Sequence, residues 1–215
     1  MKGITLEDAV ALIPDGATVM IGGFMGIGTP LRLCDELVRQ GKRDLTVIAN
    51  DNGRPDVGIS KLVAAGLVKK TIASHIGLNP ESQQRMMAGT MEVELVPQGT
   101  LIERIRAGGH GLGGVLTATG LGTVVEEGKQ KVEIDGKTWL LEKPLRADFA
   151  LIHAADADYL GNLRYLLTGR NFNPMMAMAG ATVIATADNI LPVGVIPPDD
   201  VMTPAVIVDY IVANG

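Results

Sequence analysis

The sequence of 215 residues contains a single cysteine, Cys34, and few aromatic residues. One cysteine excludes both an intrachain disulfide and a zinc site built from several cysteines. The apolar neighbours of Cys34 predict a small core residue, as most free cysteines are. Aromatic residues make up only 3% of the chain, its formal net charge is −5, and no run of lysine and arginine forms a basic stripe. We therefore expect no nucleic-acid partner.

Membrane-spanning and exported proteins are also disfavoured by what the sequence lacks. No uninterrupted apolar stretch reaches the roughly 18 residues that a transmembrane helix needs. The first ten residues, MKGITLEDAV, have neither the apolar region of a secretory signal nor the arginine-rich face of a transit peptide. We expect a cytoplasmic protein that does not contact membranes.

The residues that are abundant indicate an α/β protein. Hydrophobic residues make up 47% of the chain, and its 27 glycines suit many tight corners between strands and helices. The predicted strands cover 18–21, 45–49, 71–74, 91–96, 149–154 and 182–186, and the predicted helices cover about 9–12, 30–40, 59–65, 80–88, 101–106 and 174–179. This alternation predicts an open, doubly wound, mainly parallel sheet with helices on both faces.

One segment breaks the alternation of strands and helices. Asp135 and Gly136 lie between the β-rich segments 131–134 and 137–141, which is a strong signal of a type I′ hairpin. We predict a β-hairpin insertion at about 117–146, within a single domain that spans residues 1–215.

A glycine-rich loop follows the first predicted buried strand and precedes a helix. Gly22, Gly23, Gly26 and Gly28 lie within seven residues there, with Phe24 and Met25 between them. Missing side chains let a ligand approach the backbone, and free amides at such a place can hold an anion or a developing oxyanion. A tight turn that needs positive φ explains the same glycines equally well, so both interpretations stay open.

Amide side chains follow two further predicted strands. Asn50 comes after the strand 45–49 and Gln98 after the strand 91–96. The carboxyl ends of parallel strands share one edge of the sheet, where ligands of open α/β folds bind. An amide can donate to an oxyanion without competing as a base, although ordinary turn chemistry also explains both segments. The pattern favours an acyl or anion site at this edge without naming the substrate.

Other motifs point to no chemistry of their own. Residues 109–114 match the dinucleotide pattern G-x-G-x-x-G, but the preceding segment is helical, and the pattern requires a strand there. His75, His110 and His153 are far apart and lack the spacing of metal ligands. We interpret His153 as a residue of an apolar strand, whereas His75 and His110 lie on loops that can line a cleft. We predict no metal site.

Several motifs agree with one known family. They are Gly22-Gly-Phe-Met-Gly-Ile-Gly-Thr-Pro30, Val96-Pro-Gln-Gly-Thr-Leu-Ile-Glu-Arg-Ile-Arg-Ala-Gly-Gly109, Gly120-Leu-Gly-Thr-Val-Val-Glu-Glu-Gly128 and Gly169-Arg-Asn-Phe-Asn-Pro174. In this order they resemble the family I coenzyme A transferases over nearly the whole chain. The likeness is to the α subunits of the short-chain type, which use acetate or butyrate with acetoacetate.

The resemblance implies a ping-pong mechanism that needs a partner. In this family the nucleophile is a glutamate of the β subunit, which attacks an acyl-CoA and passes through an acyl anhydride to a glutamyl-CoA thioester. No Ser-Glu-Asn-Gly-like motif for that nucleophile occurs here, so the α chain alone should be inactive and should work in an α2β2 or α4β4 complex. We interpret Glu126 and Glu127, which look superficially similar, as structural or interface residues. Coenzyme A is a substrate, and no cofactor, ATP or metal is implied.

The resemblance also assigns roles to the candidate site residues. Gln98 and Asn50 would face the reaction centre, with Gln98 orienting the catalytic glutamate or the substrate carboxylate. Gly22, Gly23, Phe24, Met25, Gly26 and Gly28 would line the channel for the acyl group and coenzyme A.

Three alternatives stay open from the sequence. The chain can be the α half of a succinyl-CoA:3-oxoacid CoA-transferase, which has a similar sequence. It can be a stand-alone module that binds a nucleotide or sugar phosphate, which predicts ligand binding without a partner. It can also be a non-catalytic assembly protein, for which Gln98 and Asn50 would not matter.

Overall fold

A computed structural model describes residues 2–212. Its strands, in chain order, are β1 (Gly3–Ile4), β2 (Thr18–Ile21), β3 (Leu45–Ile48), β4 (Val68–Ala73), β5 (Glu92–Leu95), β6 (Val115–Thr117), β7 (Lys131–Ile134), β8 (Lys137–Glu142), β9 (Ala147–Asp158), β10 (Leu163–Arg164), β11 (Gly180–Leu191) and β12 (Tyr210–Val212). Its α-helices are α1 (Leu6–Ala11), α2 (Leu31–Gln40), α3 (Ile59–Ala64), α4 (Pro80–Met87), α5 (Gln98–Gly109) and α6 (Asn173–Ala179). Short 3-10 helices cover 124–126, 167–169, 198–200 and 205–207.

The main sheet is open and mainly parallel, as the sequence predicts. Its strand order is β1-β12-β11-β9-β2-β3-β4-β5, and all neighbours in that order are parallel. β10 adds one antiparallel pairing on β9. The carboxyl ends of β2, β3, β4 and β5 therefore lie along one edge, together with the loops that follow them.

Helices cover both faces of the sheet. Successive strand residues point to opposite sides, and in the central strands the residues on both sides are apolar. Met20 lies in one core with Ile105 of α5. Its neighbour Val19 lies in a second core with Leu37 and Cys34 of α2. The doubly wound arrangement is thus confirmed, and Cys34 is a fully buried core residue, as expected.

The smaller sheet is antiparallel, with the order β6-β8-β7. Asp135 and Gly136 connect β7 to β8 with φ values of 50° and 70°, as a type I′ turn requires at both positions. The predicted hairpin is confirmed, and β6 pairs with its second strand over 115–117.

Several elements extend beyond their predicted limits. α5 begins at Gln98 rather than near residue 101, and β9 and β11 each run for 12 residues. No helix within residues 2–212 is long and apolar enough to cross a membrane.

Candidate active site

The glycine-rich loop after β2 is a tight hairpin. The amide of Phe24 donates to the carbonyl of Ile27 at 3.0 Å, and the amide of Ile27 donates back at 2.9 Å. The two residues between them, Met25 and Gly26, have φ values of 55° and 91°. This turn presents the amide of Met25 to the neighbouring loop after β3.

Close packing explains three of the loop glycines. A Cβ at Gly22 would overlap the side-chain oxygen of Asn173, and one at Gly23 would overlap the hydroxyl of Thr29. A Cβ at Gly28 would lie 2.5 Å from a backbone carbonyl, closer than any carbon and oxygen can pack. These glycines are therefore required by the fold itself, and their contact with substrate stays a prediction.

The loop after β3 buries three consecutive polar residues, Asn50, Asp51 and Asn52. Asp51 is only 5% exposed. Its Oδ2 accepts from the amide of Met25 at 3.0 Å and from Nδ2 of Asn50 at 2.7 Å, and its Oδ1 accepts from the amide of Gly53 at 2.8 Å. Three donors therefore hold this carboxylate between the two loops.

The two predicted amides, Asn50 and Gln98, meet at the carboxyl edge. Gln98 occupies the first turn of α5, and its Nε2 donates to Oδ1 of Asn50 at 2.7 Å. Asn50 is 2% exposed, whereas the side chain of Gln98 is exposed to solvent. The hydroxyl of Ser74, which follows β4, donates to the carbonyl of Asn50 at 2.7 Å. Three strand ends thus contribute to one group of side chains, which we call the amide cluster. It consists of Asn50, Asp51, Ser74 and Gln98, with Gln98 at its solvent side.

His153 lies on a strand, as the sequence predicts, and it also has polar partners. It is half-buried on β9, with Nδ1 2.9 Å from the hydroxyl of Thr186 and Nε2 3.4 Å from a carboxylate oxygen of Asp188. His153 and Asp188 line a cavity of about 490 Å³ and a second of about 260 Å³, the latter also lined by Gly28. Burial lowers the pKa of His153, and the Asp188 carboxylate opposes this shift.

The remaining histidines lie at different places. His75 is exposed and pairs with Asp51 through a short β-bridge, so it lies near the amide cluster. His110 is also exposed, but it ends α5 at the opposite end from Gln98, where its Nδ1 lies 2.8 Å from the carbonyl of Arg106.

Glu126 is engaged within its own segment. Its carboxylate accepts from the amide of Gly122 at 2.8 Å and pairs with Lys131 at 3.0 Å. The backbone hydrogen bond from Gly122, followed by the Lys131 ammonium, lowers the pKa of Glu126. Glu127 is exposed. Neither residue takes part in the hydrogen bonds of the amide cluster.

Two other kinds of site receive no support. Within residues 2–212, no group of three or more histidine, cysteine, aspartate or glutamate side chains could hold a metal ion. The glycine pattern at 109–114 follows α5 and precedes β6, which is the reverse of the strand-then-helix order of a dinucleotide site.

Comparisons with known proteins support the resemblance found in the sequence. A family model described as "Coenzyme A transferase" matches residues 4–214. The chain is 56% identical over 213 residues to the alpha subunit of acetate CoA-transferase of Escherichia coli K12, covering 99% of this chain and 97% of the relative. It is 51% identical over 211 residues to the alpha subunit of acetoacetyl-CoA:acetate/butyrate CoA transferase of Clostridium acetobutylicum, covering 98% and 97%.

A solved structure shares the fold over the whole chain. The acyl-CoA transferase YdiF of E. coli O157:H7, solved as a thioester complex with CoA, superposes with a TM-score of 0.87 at 26% identity. The match covers 99% of this chain and 47% of that chain, so this chain spans about half the length of YdiF. From the family model and these relatives, the chain belongs to the coenzyme A transferase family.

Proposed function

We propose that the chain is the α subunit of a heteromeric CoA-transferase that moves CoA between a short-chain acyl-CoA and a short-chain carboxylate such as acetate. The acyl-CoA is acetoacetyl-CoA, butyryl-CoA or acetyl-CoA. Two relatives that align with this chain nearly end to end are named as alpha subunits, and both names include acetate. YdiF, about twice as long as the aligned segment, is consistent with a second half that a separate subunit supplies here.

The chemistry of the amide cluster carries this proposal. The cluster offers the side-chain amides of Gln98 and Asn50, and its one carboxylate, Asp51, is buried and already accepts from three donors. A carboxylate held in this way is a poor nucleophile, because attack would break its hydrogen bonds inside the protein. The cluster is therefore suited to orienting a carboxylate that comes from elsewhere.

The partner's glutamate would supply that nucleophile. It attacks the thioester carbonyl of the acyl-CoA and releases the CoA thiolate, which attacks the resulting anhydride, displaces the carboxylic acid as its carboxylate and leaves a glutamyl-CoA thioester. The incoming carboxylate reverses these steps. Gln98, at the solvent side of the cluster, orients the glutamate or the substrate carboxylate, with Asn50 fixing it from behind. The energy of one thioester is kept in the next, so no ATP, metal or other cofactor is required.

Exposed apolar side chains beside the glycine loop support a binding surface for the β subunit at this position. Leu167 is 95% exposed, and Ile27 and Leu166 are each more than half exposed. All three line the same cavity as Gly28. Obligate interfaces resemble a core cut in half, so the β subunit would cover these residues and close the channel against Phe24. The complex would be α2β2 or α4β4.

Isotope exchange tests this function. Labelled acetate and acetoacetyl-CoA are incubated with the chain alone and with the complex co-expressed with its β subunit. We expect label in acetyl-CoA only with the complex. Exchange by the chain alone would locate the nucleophile in this chain. Exchange with labelled succinate but not acetate would favour the 3-oxoacid type, and no exchange by the assembled complex would refute a transferase of this class.

A further inference from the structure

The hydrogen bonds of the amide cluster have a direction that their chemistry fixes. Both side-chain oxygens of Asp51 accept from backbone amides, those of Met25 and Gly53, and a carboxylate can only accept hydrogen bonds. The atom of Asn50 that faces Asp51 must therefore be the amide nitrogen. The side-chain oxygen of Asn50, Oδ1, is then the atom that faces Gln98, and it can only accept a hydrogen bond. The atom of Gln98 that faces Asn50 must therefore be its amide nitrogen, in agreement with the distances of 2.7 Å at both steps.

This direction determines what Gln98 presents to a ligand. One N–H of its Nε2 is used by Asn50, and the planar amide directs the second N–H and Oε1 away from that bond. The side chain of Gln98 is exposed, whereas Asn50 and Asp51 are buried. The second N–H is the group available to a carboxylate, and its orientation is set by the two buried residues behind it.

The same carboxylate also fixes the glycine loop. Oδ2 of Asp51 accepts from the amide of Met25 at 3.0 Å, and Oδ1 accepts from Gly53 at 2.8 Å. Asp51 therefore joins the loop after β2 to the loop after β3. A neutral amide at position 51 could donate as well as accept, which would remove the requirement that Asn50 point its nitrogen towards it.

We infer that Asp51 is a positioning residue: as an acceptor-only group, it fixes the direction of the Asn50–Gln98 hydrogen bond and thereby the face that Gln98 offers to the carboxylates of the reaction. The inference rests on the proposed function for its effect on rate, but the orientation of Gln98 can be measured without turnover. A change of charge or hydrogen-bond capacity at position 51 should therefore lower kcat through the orientation of Gln98, and not only through the stability of the fold.

The kinetic test uses Asp51→Asn in the assembled complex. Since a small misplacement of a catalytic group can cost about 100-fold, we expect kcat to fall about 10- to 100-fold with KM for the acyl-CoA changed much less. In a Gln98→Ala background the same substitution should lower kcat less than about threefold, because its route of action is already lost. Ser82→Ala is the matched control: it removes a buried hydrogen bond to Asn52 in the same loop and should leave kcat unchanged.

Side-chain amide NMR of the full chain separates a positioning role from a purely structural one. The Nε2 protons of Gln98 should show one hydrogen-bonded resonance that is lost in Asp51→Asn and kept in Ser82→Ala. An unchanged resonance in Asp51→Asn would overturn the inference, and so would additive losses of kcat in the double variant. If the wild-type complex transfers no CoA, the proposed function fails, and the resonance alone decides whether Asp51 orients Gln98.

Discussion

Gln98 is the residue whose removal most cleanly separates chemistry from folding. Its side chain is exposed and donates one hydrogen bond of 2.7 Å, to Asn50. A single net hydrogen bond contributes about 0.5–1.5 kcal/mol to stability, and exposure places Gln98→Ala at or below the lower end of that range. Loss of an oxyanion-type donor, in contrast, costs about 2–4 kcal/mol in the transition state. That cost is roughly a 30- to 900-fold slower reaction at 1.36 kcal/mol per tenfold.

The assay compares kcat/KM for CoA transfer by complexes that contain wild-type, Gln98→Ala or Gln98→Glu α chains. The Gln98→Glu substitution would place a carboxylate opposite Oδ1 of Asn50, where neither group can donate a hydrogen bond. We therefore expect this variant to be as slow as the alanine variant. Gln84→Ala, at an exposed glutamine of α4, is the matched control and should transfer CoA at the wild-type rate. Near-normal turnover by Gln98→Ala in a fully assembled complex would refute the role of Gln98.

Three further predictions concern the fold and the partner. Gly22→Ala should lower the free energy of unfolding by about 1–3 kcal/mol, because the added Cβ overlaps the Asn173 side chain; an unchanged denaturation midpoint would contradict this. Leu167→Asp should prevent co-purification with the β subunit while Met87→Asp does not, although both native side chains are highly exposed; a normal Leu167→Asp complex would remove this residue from the interface. Burial raises the pKa of the Cys34 thiol to about 12, so iodoacetamide at pH 8 should alkylate the native chain far more slowly than the unfolded chain. This pKa lies above the unfolded value of about 8.5. The stabilisation from the protonated thiol is therefore complete below pH ~8.5 and is lost as the pH rises towards 12. Denaturation curves at several pH values can measure this loss.

Local patterns predicted most of the elements that form the sheet. The apolar runs at β2 and β3 and the Asp135-Gly136 turn carry strong short-range signals, and each lies within one residue of its predicted limits. The meeting of Asn50 with Gln98 also followed from a general rule, since both come after parallel strands that end at the same edge.

The last residues of the long strands β9 and β11 were missed because polar residues continue these strands. The prediction ended β9 at residue 154, since aspartate is disfavoured in strands. In the structure Asp156 pairs with Arg164 of β10 at 2.6 Å. Oδ1 of Asp158 accepts from the amides of Leu160, Gly161 and Asn162, each at 3.0 Å. These partners become visible only once the chain has turned back on itself.

The contacts of Asp51 and His153 join residues that lie far apart in the sequence. Asp51 resembles an ordinary turn residue beside Asn50, yet it also binds the amide of Met25, 26 residues earlier. His153 was predicted to lie on an apolar strand, and its partner Thr186 lies 33 residues later on the adjacent strand. Residue type and spacing along the chain carry no signal for such pairs.

In the proposed reaction this chain orients the reacting carboxylates and does not itself carry the covalent intermediate. The most direct test is intact-protein mass spectrometry of the complex after incubation with acetoacetyl-CoA, under conditions that preserve thioesters. We expect a CoA adduct on the β chain and an unmodified α chain. A CoA adduct on this chain, at Glu126, Glu127 or any other carboxylate, would contradict it.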